Sequence, residues 1–184
     1  MFVVRIGLIS DTHIPEAGPE LPKEVFQAFE GVDLIMHAGD MHVIQVLDWL
    51  EVVAPVVGAL GNGDVPDSMS KTRPGIPPDP RVKEAPVVVV EGLTIGMVHY
   101  FPVPGDLPWL TQQEFLDRYF IERLDVVVCG HTHKALIVEN EGLLIVNPGS
   151  PTLPDNLTNI LGNVGILEIA DGKVEAHILN LRDL

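Results

Sequence analysis

The chain has 184 residues, of which 46% are hydrophobic and 20% charged, so we expect residues 1–184 to form one folded domain. Asp and Glu number 26 against 11 Lys and Arg, which gives a formal net charge of −15 at pH 7. Such an excess repels polyanions, so long nucleic acid and anionic membranes are excluded as expected partners.

The single cysteine, Cys129, excludes an internal disulfide and a cysteine-rich zinc site. The apolar start, Phe2 to Ile9, is interrupted by Arg5 and lacks the pattern of a signal peptide, and no apolar run reaches the roughly 18 residues needed to cross a bilayer. We therefore expect a cytoplasmic protein.

Runs of apolar and β-branched residues recur along the chain and predict a protein rich in strands. Several runs are continuously apolar, as expected for strands that are covered on both faces. The predicted strands are Phe2 to Ile9, Val32 to Met36, Val52 to Val57, Pro86 to Val90, Leu93 to Val98, Asp125 to Cys129, Ala135 to Glu139, Leu143 to Val146, Val164 to Ile169 and Val174 to Leu179.

Apolar residues at helical spacing predict helices at Pro22 to Phe29, Val43 to Leu50 and Leu110 to Ile121, the last with Thr111 as its N-cap. The first half of the chain therefore alternates strands with helices, which is typical of a parallel sheet, whereas short turns in the second half join antiparallel strands. The prediction is an α/β fold with two packed sheets and helices outside. The proline-rich segment 65–86 is expected to be a long loop.

Polar residues follow the predicted strands where each strand ends. The carboxyl edge of an open α/β sheet is where ligands bind, so these side chains are expected to meet in one place. They combine carboxylate, imidazole and amide groups with hardly any positive charge. The candidate metal ligands are Asp11, His13, Asp40, Asn62, His99, His131 and His133.

Burying such a set without a cation is costly, and a bound metal would remove the cost. Nitrogen and oxygen donors without thiolate suit manganese, iron, zinc or a similar first-row dication, and the affinity order alone does not choose among them. We expect manganese, with zinc, iron or nickel as alternatives. The set is too large for one tetrahedral ion and fits two ions about 3.5–4 Å apart. Asp11 and His13 are expected to share one ion, because alternate residues of an extended segment point to the same side.

These motifs resemble those of the calcineurin-like metallophosphoesterases, in particular their small single-domain bacterial and archaeal phosphodiesterases. The matching strings, between Ile6 and Ser150, are Asp-x-His, Gly-Asp, Gly-Asn-x-Asp, a lone His, Gly-His-Thr-His and Asn-Pro-Gly-Ser. The resemblance implies a four-layer α/β/β/α sandwich of two mixed sheets flanked by helices. It also implies hydrolysis of a small phosphoester through in-line attack by a hydroxide that two ions activate.

The resemblance further implies how the ligands are shared between the two ions. Asp11, His13 and His133 would hold the first ion, Asn62, His99 and His131 the second, and Asp40 would bridge both.

The chain departs from the family pattern at two positions. Gly63 follows Asn62 where many relatives carry a histidine that assists the leaving group, so no general acid is assigned and substrates with good leaving groups are expected, unless His42 substitutes. Tyr100 follows His99 where relatives usually carry glycine. Its ring would narrow the site or line it for an aromatic substrate.

Asn62, His42 and Arg73 are the predicted substrate contacts. Arg73 belongs to the basic segment Lys71 to Lys83, which either covers the metal site and binds a phosphate or forms a solvated surface. The aromatic loop Tyr100 to Trp109 would stack on a substrate, cover the core or form a dimer contact.

Three further segments are expected to have supporting roles. His37 should hydrogen-bond near the site without binding metal, and His177 should be structural. Asn147 to Ser150 should form a turn that supports the metals.

The leading functional hypothesis is a metal-dependent phosphodiesterase with a small phosphoester substrate. A phosphomonoesterase is an alternative, and so is a non-catalytic interaction scaffold, as resemblance to a small retromer coat subunit would suggest. Metal storage or sensing would use the same ligands without turnover. Apolar residues in the loops also allow a homo-oligomer.

Overall fold

The computed structural model describes residues 3–71, 73, 75–103 and 110–184. Within this part of the chain the strands are β1 (Val4–Ile9), β2 (Leu34–His37), β3 (Val56–Ala59), β4 (Val82–Lys83), β5 (Val87–Val90), β6 (Leu93–Met97), β7 (Val126–Val128), β8 (Ala135–Asn140), β9 (Leu143–Pro148), β10 (Asn163–Ala170) and β11 (Lys173–Asn180). The α-helices are α1 (Lys23–Ala28), α2 (Gln45–Glu51) and α3 (Gln112–Tyr119). No helix in these ranges is long and apolar enough to span a bilayer.

The strands form two mixed sheets. The first has six strands in the order β11-β10-β1-β2-β3-β4, and the second has five in the order β5-β6-β7-β9-β8. Strands β1 to β4 run parallel, with Ile6 opposite Leu34, as the alternation of strands and helices predicts. The short turns predicted in the second half do join antiparallel pairs, namely β5 with β6, β8 with β9 and β10 with β11. However, β6, β7 and β9 run parallel to one another, so the second half is not antiparallel throughout.

Three hydrophobic clusters separate four layers. The first, which includes Phe29 and Leu47, lies between helices α1 and α2 and the first sheet. The second, which includes Leu8 and Met97, lies between the two sheets. The third lies outside the second sheet and contains Phe115 of α3. The predicted four-layer sandwich is therefore confirmed.

The element bounds differ from the predictions mainly at one strand. The strand predicted from Val52 begins only at Val56, because residues 52 and 53 continue as a turn from α2 and Pro55 follows them. Val52 is exposed, so its β-branched side chain does not serve a sheet. The predicted N-cap is confirmed, since the Thr111 hydroxyl accepts a hydrogen bond from the Glu114 N–H.

The segment 65–86, predicted to be a loop, also contains β4, which pairs with β3 at the edge of the first sheet. The residue before β4 ties this segment to α2. The Arg81 guanidinium pairs with Asp48, Glu51 and Asp79 at 2.7–2.8 Å. Arg81 is therefore engaged by carboxylates of α2 and of its own loop, which argues against phosphate binding by this residue of the basic segment Lys71 to Lys83. Burial opposes but does not cancel the effect of Asp79, which is the largest influence and raises the pKa of Arg81.

Candidate metal centre

The strand ends deliver the predicted ligands to one edge of the sandwich. Residues that follow β1, β2 and β3 belong to the first sheet, whereas those that follow β6 and β7 belong to the second. Backbone hydrogen bonds join these loops: the Asp11 N–H donates to the Gly39 carbonyl at 2.9 Å, and the Gly130 N–H donates to the His99 carbonyl at 2.8 Å. The site is thus built from both sheets at once.

The Asp-x-His and His-x-His pairs are not extended. Asp11 and His13 have φ of 53° and 49°, and His131 and His133 have φ of 71° and 58°. The predicted reason for their pairing, alternate residues of an extended segment, is therefore wrong. Left-handed backbone is sparsely populated by side-chain-bearing residues, although Asp and His tolerate it better than most.

The first cluster consists of Asp11, His13 and His133, whose donor atoms all lie within 4.8 Å of one another. The Asp11 Oδ1 atom is 3.8 Å from His13 Nε2 and 3.4 Å from His133 Nε2. All three side chains are buried. This is the grouping that the family resemblance implies for the first ion.

The second cluster consists of Asn62, His99 and His131. The His131 Nδ1 atom lies 3.1 Å from Asn62 Oδ1 and 3.3 Å from His99 Nε2. Asn62 and His131 are exposed, whereas His99 is buried and its Nδ1 lies 2.8 Å from the Ala38 carbonyl. The second group of donors therefore faces solvent on one side, where a substrate can approach.

Asp40 lies between the two clusters. One of its oxygens, Oδ2, is 3.6 Å from His13 Nε2, and the other, Oδ1, is 3.4 Å from His99 Nε2. The arrangement suits a bridging carboxylate. Asp11 Oδ1 also lies 3.9 Å from His99 Nε2, so both carboxylates neighbour both clusters.

The buried carboxylates and imidazoles shift one another's pKa values. Burial works to raise the pKa of Asp11, but the His13 and His133 imidazoles hold it well below its ordinary value. Burial works to lower the pKa of His99, but the Asp40 and Asp11 carboxylates raise it to about 9. In the metal-free protein His99 therefore carries a proton at neutral pH, and this proton partly neutralises the carboxylates.

Asp64 organises the site, and sequence reasoning assigned it no role. Its buried carboxylate accepts backbone hydrogen bonds from Asp40 at 2.9 Å and from His42 and Gly61 at 2.8 Å. Desolvation by burial raises the pKa of Asp64. The contacts join the loop after β2 to the loop that carries Asn62. Its spacing of three from Gly61 was the available signal, since short acidic side chains commonly accept nearby backbone N–H groups.

The end of β9 and the residues after it support the first cluster, as predicted for Asn147 to Ser150, but Asn147 and Pro148 belong to the strand and not to the predicted turn. The Asn147 amide donates to the Gly130 carbonyl at 2.7 Å, and the Ser150 hydroxyl donates to the Asp11 carbonyl at 2.7 Å. Thr152, which the sequence analysis did not single out, donates to the Thr12 carbonyl at 2.9 Å. These bonds satisfy the backbone carbonyl groups of Asp11 and Thr12 and of Gly130, which precedes His131.

His37 and His177, which are not proposed ligands, differ in burial and in their distance from the site. His37 is buried and lies 3.1 Å from the Thr12 hydroxyl through Nε2, while its Nδ1 accepts from the Gly39 N–H, so it supports the site without joining either cluster. Burial lowers the pKa of His37 to about 4. His177 is half-exposed on β11, 4.0 Å from Glu168 and Glu175.

His42 lies behind His13 and is fully buried. The two ring centroids are 4.4 Å apart, and neither His42 nitrogen has a hydrogen-bond partner within the described part of the chain. Burial, followed by the effect of His13, lowers the pKa of His42 to about 4. A ring without solvent contact cannot touch a substrate, so the structure does not support the predicted contact.

The His42 ring fills the space that a side chain at position 63 would need. A Cβ atom on Gly63 would overlap His42 Nε2 and lie 2.7 Å from His42 Cδ2. Glycine at this position therefore leaves room for the His42 ring.

The remaining predicted contacts lie around the rim. The Arg73 Nε atom is 3.4 Å from Glu16 Oε2, beside the first cluster. The Tyr100 ring stands edge-on to His131 with centroids 5.4 Å apart, while Phe101 is buried in the core outside the second sheet. Trp109 lies outside the described residues.

The donor set fits divalent metal. Among the described residues no Lys or Arg side chain pairs with Asp11 or Asp40, and the buried His13 Nε2 has no hydrogen-bond partner. Buried charge of this kind is normally paired or bound to metal. The fold and the site together define a metal-binding α/β sandwich with a two-cluster centre.

Comparison with known proteins identifies the family. The model of the calcineurin-like phosphoesterase superfamily domain matches residues 4–172, and the chain belongs to that superfamily. A probable metallophosphoesterase of Methanothermobacter thermautotrophicus is 40% identical over 177 residues, which are 95% of this chain and 91% of the relative. Another, from Methanocaldococcus jannaschii, is 34% identical over 151 residues, which are 81% and 69% of the two chains.

Solved structures agree with the fold. A Thermotoga maritima protein is 28% identical with a TM-score of 0.68 and covers 96% of this chain and 99% of its own. An archaeal phosphodiesterase (22% identical, TM-score 0.62, 96% and 100% covered) and vacuolar protein sorting 29 from Cryptosporidium parvum (24%, 0.64, 97% and 98%) share the same fold.

Proposed function

We propose that the protein is a phosphodiesterase that hydrolyses a small phosphoester with two divalent ions, manganese first among them. The observation that carries the proposal is the convergence of two donor clusters on Asp40, whose two oxygens face His13 and His99 at 3.6 and 3.4 Å. Two adjacent ions suit displacement at phosphorus, because one side of the site meets the attacking oxygen and the other the leaving oxygen.

The proposed ligands keep the distribution of the clusters. Asp11, His13 and His133 would hold one ion, Asn62, His99 and His131 the other, and Asp40 would contact both. When bound, the ions supply Lewis acidity to water and to the phosphoryl oxygens.

The chain's own residues set the remaining requirements of the reaction. A water oxygen forms a bond to phosphorus while the bond to the leaving alcohol breaks, which yields a monoester and an alcohol. Exposed Asn62 and His131 form the face that meets the substrate. No side chain projects from Gly63 to protonate the leaving oxygen.

Arg73 is the proposed phosphate contact. Its guanidinium pairs with Glu16, and Glu16 in turn faces His13 of the first cluster. Arg81, in contrast, pairs with three carboxylates. The two arginines belong to one loop and form a matched pair. We expect Arg73→Ala to raise the Michaelis constant for a phosphodiester and Arg81→Ala to leave it unchanged.

The test of the proposed function uses bis-p-nitrophenyl phosphate and p-nitrophenyl phosphate after chelation and after addition of manganese. Hydrolysis should require metal and favour the diester. Loss of a residue that only supports a metal ligand lowers activity by roughly 10–100-fold. Because His131 is itself a proposed ligand, His131→Ala should lower the rate of diester hydrolysis by at least that factor. His177→Ala, another exposed histidine outside the site, is the control. Preference for the monoester would support the phosphomonoesterase alternative instead.

The scaffold alternative rests on a different kind of resemblance. The vacuolar protein sorting match is 24% identical and shows the fold alone. A scaffold would not need two sets of converging metal donors. Absence of metal-dependent hydrolysis with either ester would favour the scaffold, or metal storage if the ions still bind.

A further inference from the structure

The Glu16 carboxylate lies where three nitrogen-bearing side chains meet. Its Oε2 atom is 3.9 Å from His13 Nδ1, 3.7 Å from His42 Nδ1 and 3.4 Å from Arg73 Nε. Glu16 is 40% exposed, while His13 is 7% and His42 0% exposed. One surface carboxylate thus faces two buried rings and the arginine of the loop.

His13 has two distinct ends. Its Nε2 faces Asp11 and Asp40 and has no hydrogen-bond partner among the described residues, whereas its Nδ1 points to Glu16. A neutral imidazole can bind a metal only through the nitrogen that carries no proton. Which nitrogen that is depends on the hydrogen bond made by the other.

We propose that Glu16 is a positioning residue, whose carboxylate accepts a hydrogen bond from the Nδ1–H of His13 and so directs the unprotonated His13 Nε2 to the first metal site. The proposal rests on the metal site of the proposed function. The 3.9 Å between His13 Nδ1 and Glu16 Oε2 is an ion-pair distance. A side-chain rotation that moves the oxygen of half-exposed Glu16 by about 1 Å would bring it into hydrogen-bonding range.

The neighbours of Glu16 favour this role over a third metal site. His13, Glu16 and His42 have donor atoms within 4.8 Å of one another, as a metal site would require. However, the Arg73 guanidinium already lies 3.4 Å from the same Glu16 oxygen, and a cation there would be repelled. The His42 ring instead packs edge-on against His13 and limits its rotation.

The experiment measures manganese binding to chelator-treated protein by isothermal titration calorimetry. Wild type should bind two ions. Glu16→Ala should weaken one binding event by about 10–100-fold and leave the other unchanged, because outer contacts of metal-bound histidine have effects of this size. Glu16→Gln, which keeps an accepting oxygen, should recover much of the loss.

Glu20→Ala is the matched control, because it removes one exposed acidic charge from the same segment. In zinc-loaded protein labelled with ¹⁵N-histidine, NMR should show His13 protonated at Nδ1 in wild type, and Glu16→Ala should lose this defined tautomer. Identical titrations for Glu16→Ala and Glu20→Ala would overturn the proposal. So would three ions in wild type and two in Glu16→Ala, which would make the cluster a metal site. Failure of wild type to bind any ion would instead refute the proposed function, and with it the premise.

Discussion

The packing of Gly63 against His42 predicts that one substitution destabilises wild type much more than a variant that lacks the His42 ring. In the wild-type background, Gly63→Ala places a Cβ atom 2.7 Å from His42 Cδ2 and into overlap with Nε2. The ring has little room to move because it is buried and packs against His13. Overpacking costs about 1–3 kcal/mol, and the severity of this overlap favours the upper half of that range.

Removal of the ring should cancel most of this loss. The φ of Gly63 is not left-handed, so alanine is compatible with its backbone and gains about 0.4–1 kcal/mol through the unfolded state. The contact that remains, 3.1 Å from the added Cβ to the buried Asp40 Oδ1, is tight and offsets that gain. Gly63→Ala should therefore lower the free energy of unfolding by about 1–2 kcal/mol in wild type but change it little in His42→Ala. The coupling between the two positions would be about 1–2 kcal/mol.

Urea unfolding of the four proteins in the presence of a chelator measures this coupling, since bound metal then makes no contribution to stability. Circular dichroism and tryptophan fluorescence should give coincident transitions. An equal loss from Gly63→Ala in both backgrounds would show that the His42 ring does not occupy this space.

Three other predictions concern pH, leaving groups and the loop. In metal-free protein the pKa of His99, raised to about 9 by Asp40 and Asp11 against the effect of burial, should stabilise the fold fully below about pH 6.5 and lose that effect as pH rises through 9. Denaturation at pH 6 to 9 should therefore show falling stability, and a flat profile would contradict the charge state assigned to His99. Because Gly63 offers no general acid, rates for aryl phosphodiesters should fall steeply as the leaving-group pKa rises, with a shortfall of about 10²–10⁴ for poor leaving groups; a shallow dependence would reveal an acid elsewhere. Arg81→Ala should lower the free energy of unfolding by about 1–2 kcal/mol, because three carboxylates lose their shared partner, and unchanged urea unfolding would show that the network contributes nothing.

The sequence predicted the sheets and the convergence of the proposed ligands because both depend on short-range patterns. Continuous apolar runs ended before each polar motif, and parallel strands place their carboxyl ends at one edge, so Asp11, Asp40 and Asn62 could be brought together without knowledge of packing. The second sheet then added His99 and His131 in the same way.

Other features depend on contacts between distant residues and could not be derived from local pattern. The sequence does not show that Asp64 accepts N–H groups from two loops, nor that Arg81 faces acidic residues of α2. The predicted substrate contact of His42 is not supported for the same reason, because its ring is buried and packs beside Gly63, 21 residues later in the chain.

The left-handed backbone at the metal centre has a consequence for engineering. Six side-chain-bearing residues here, the proposed ligands Asp11, His13, Asp40, His131 and His133 together with His42, have positive φ, a conformation that glycine adopts without strain. A variant library ranked only by survival of heating would thus reward glycine where the donor atoms stand. Selection for stability in this protein must therefore keep these six positions unchanged, because otherwise the most stable variants will be those that have lost the proposed metal ligands.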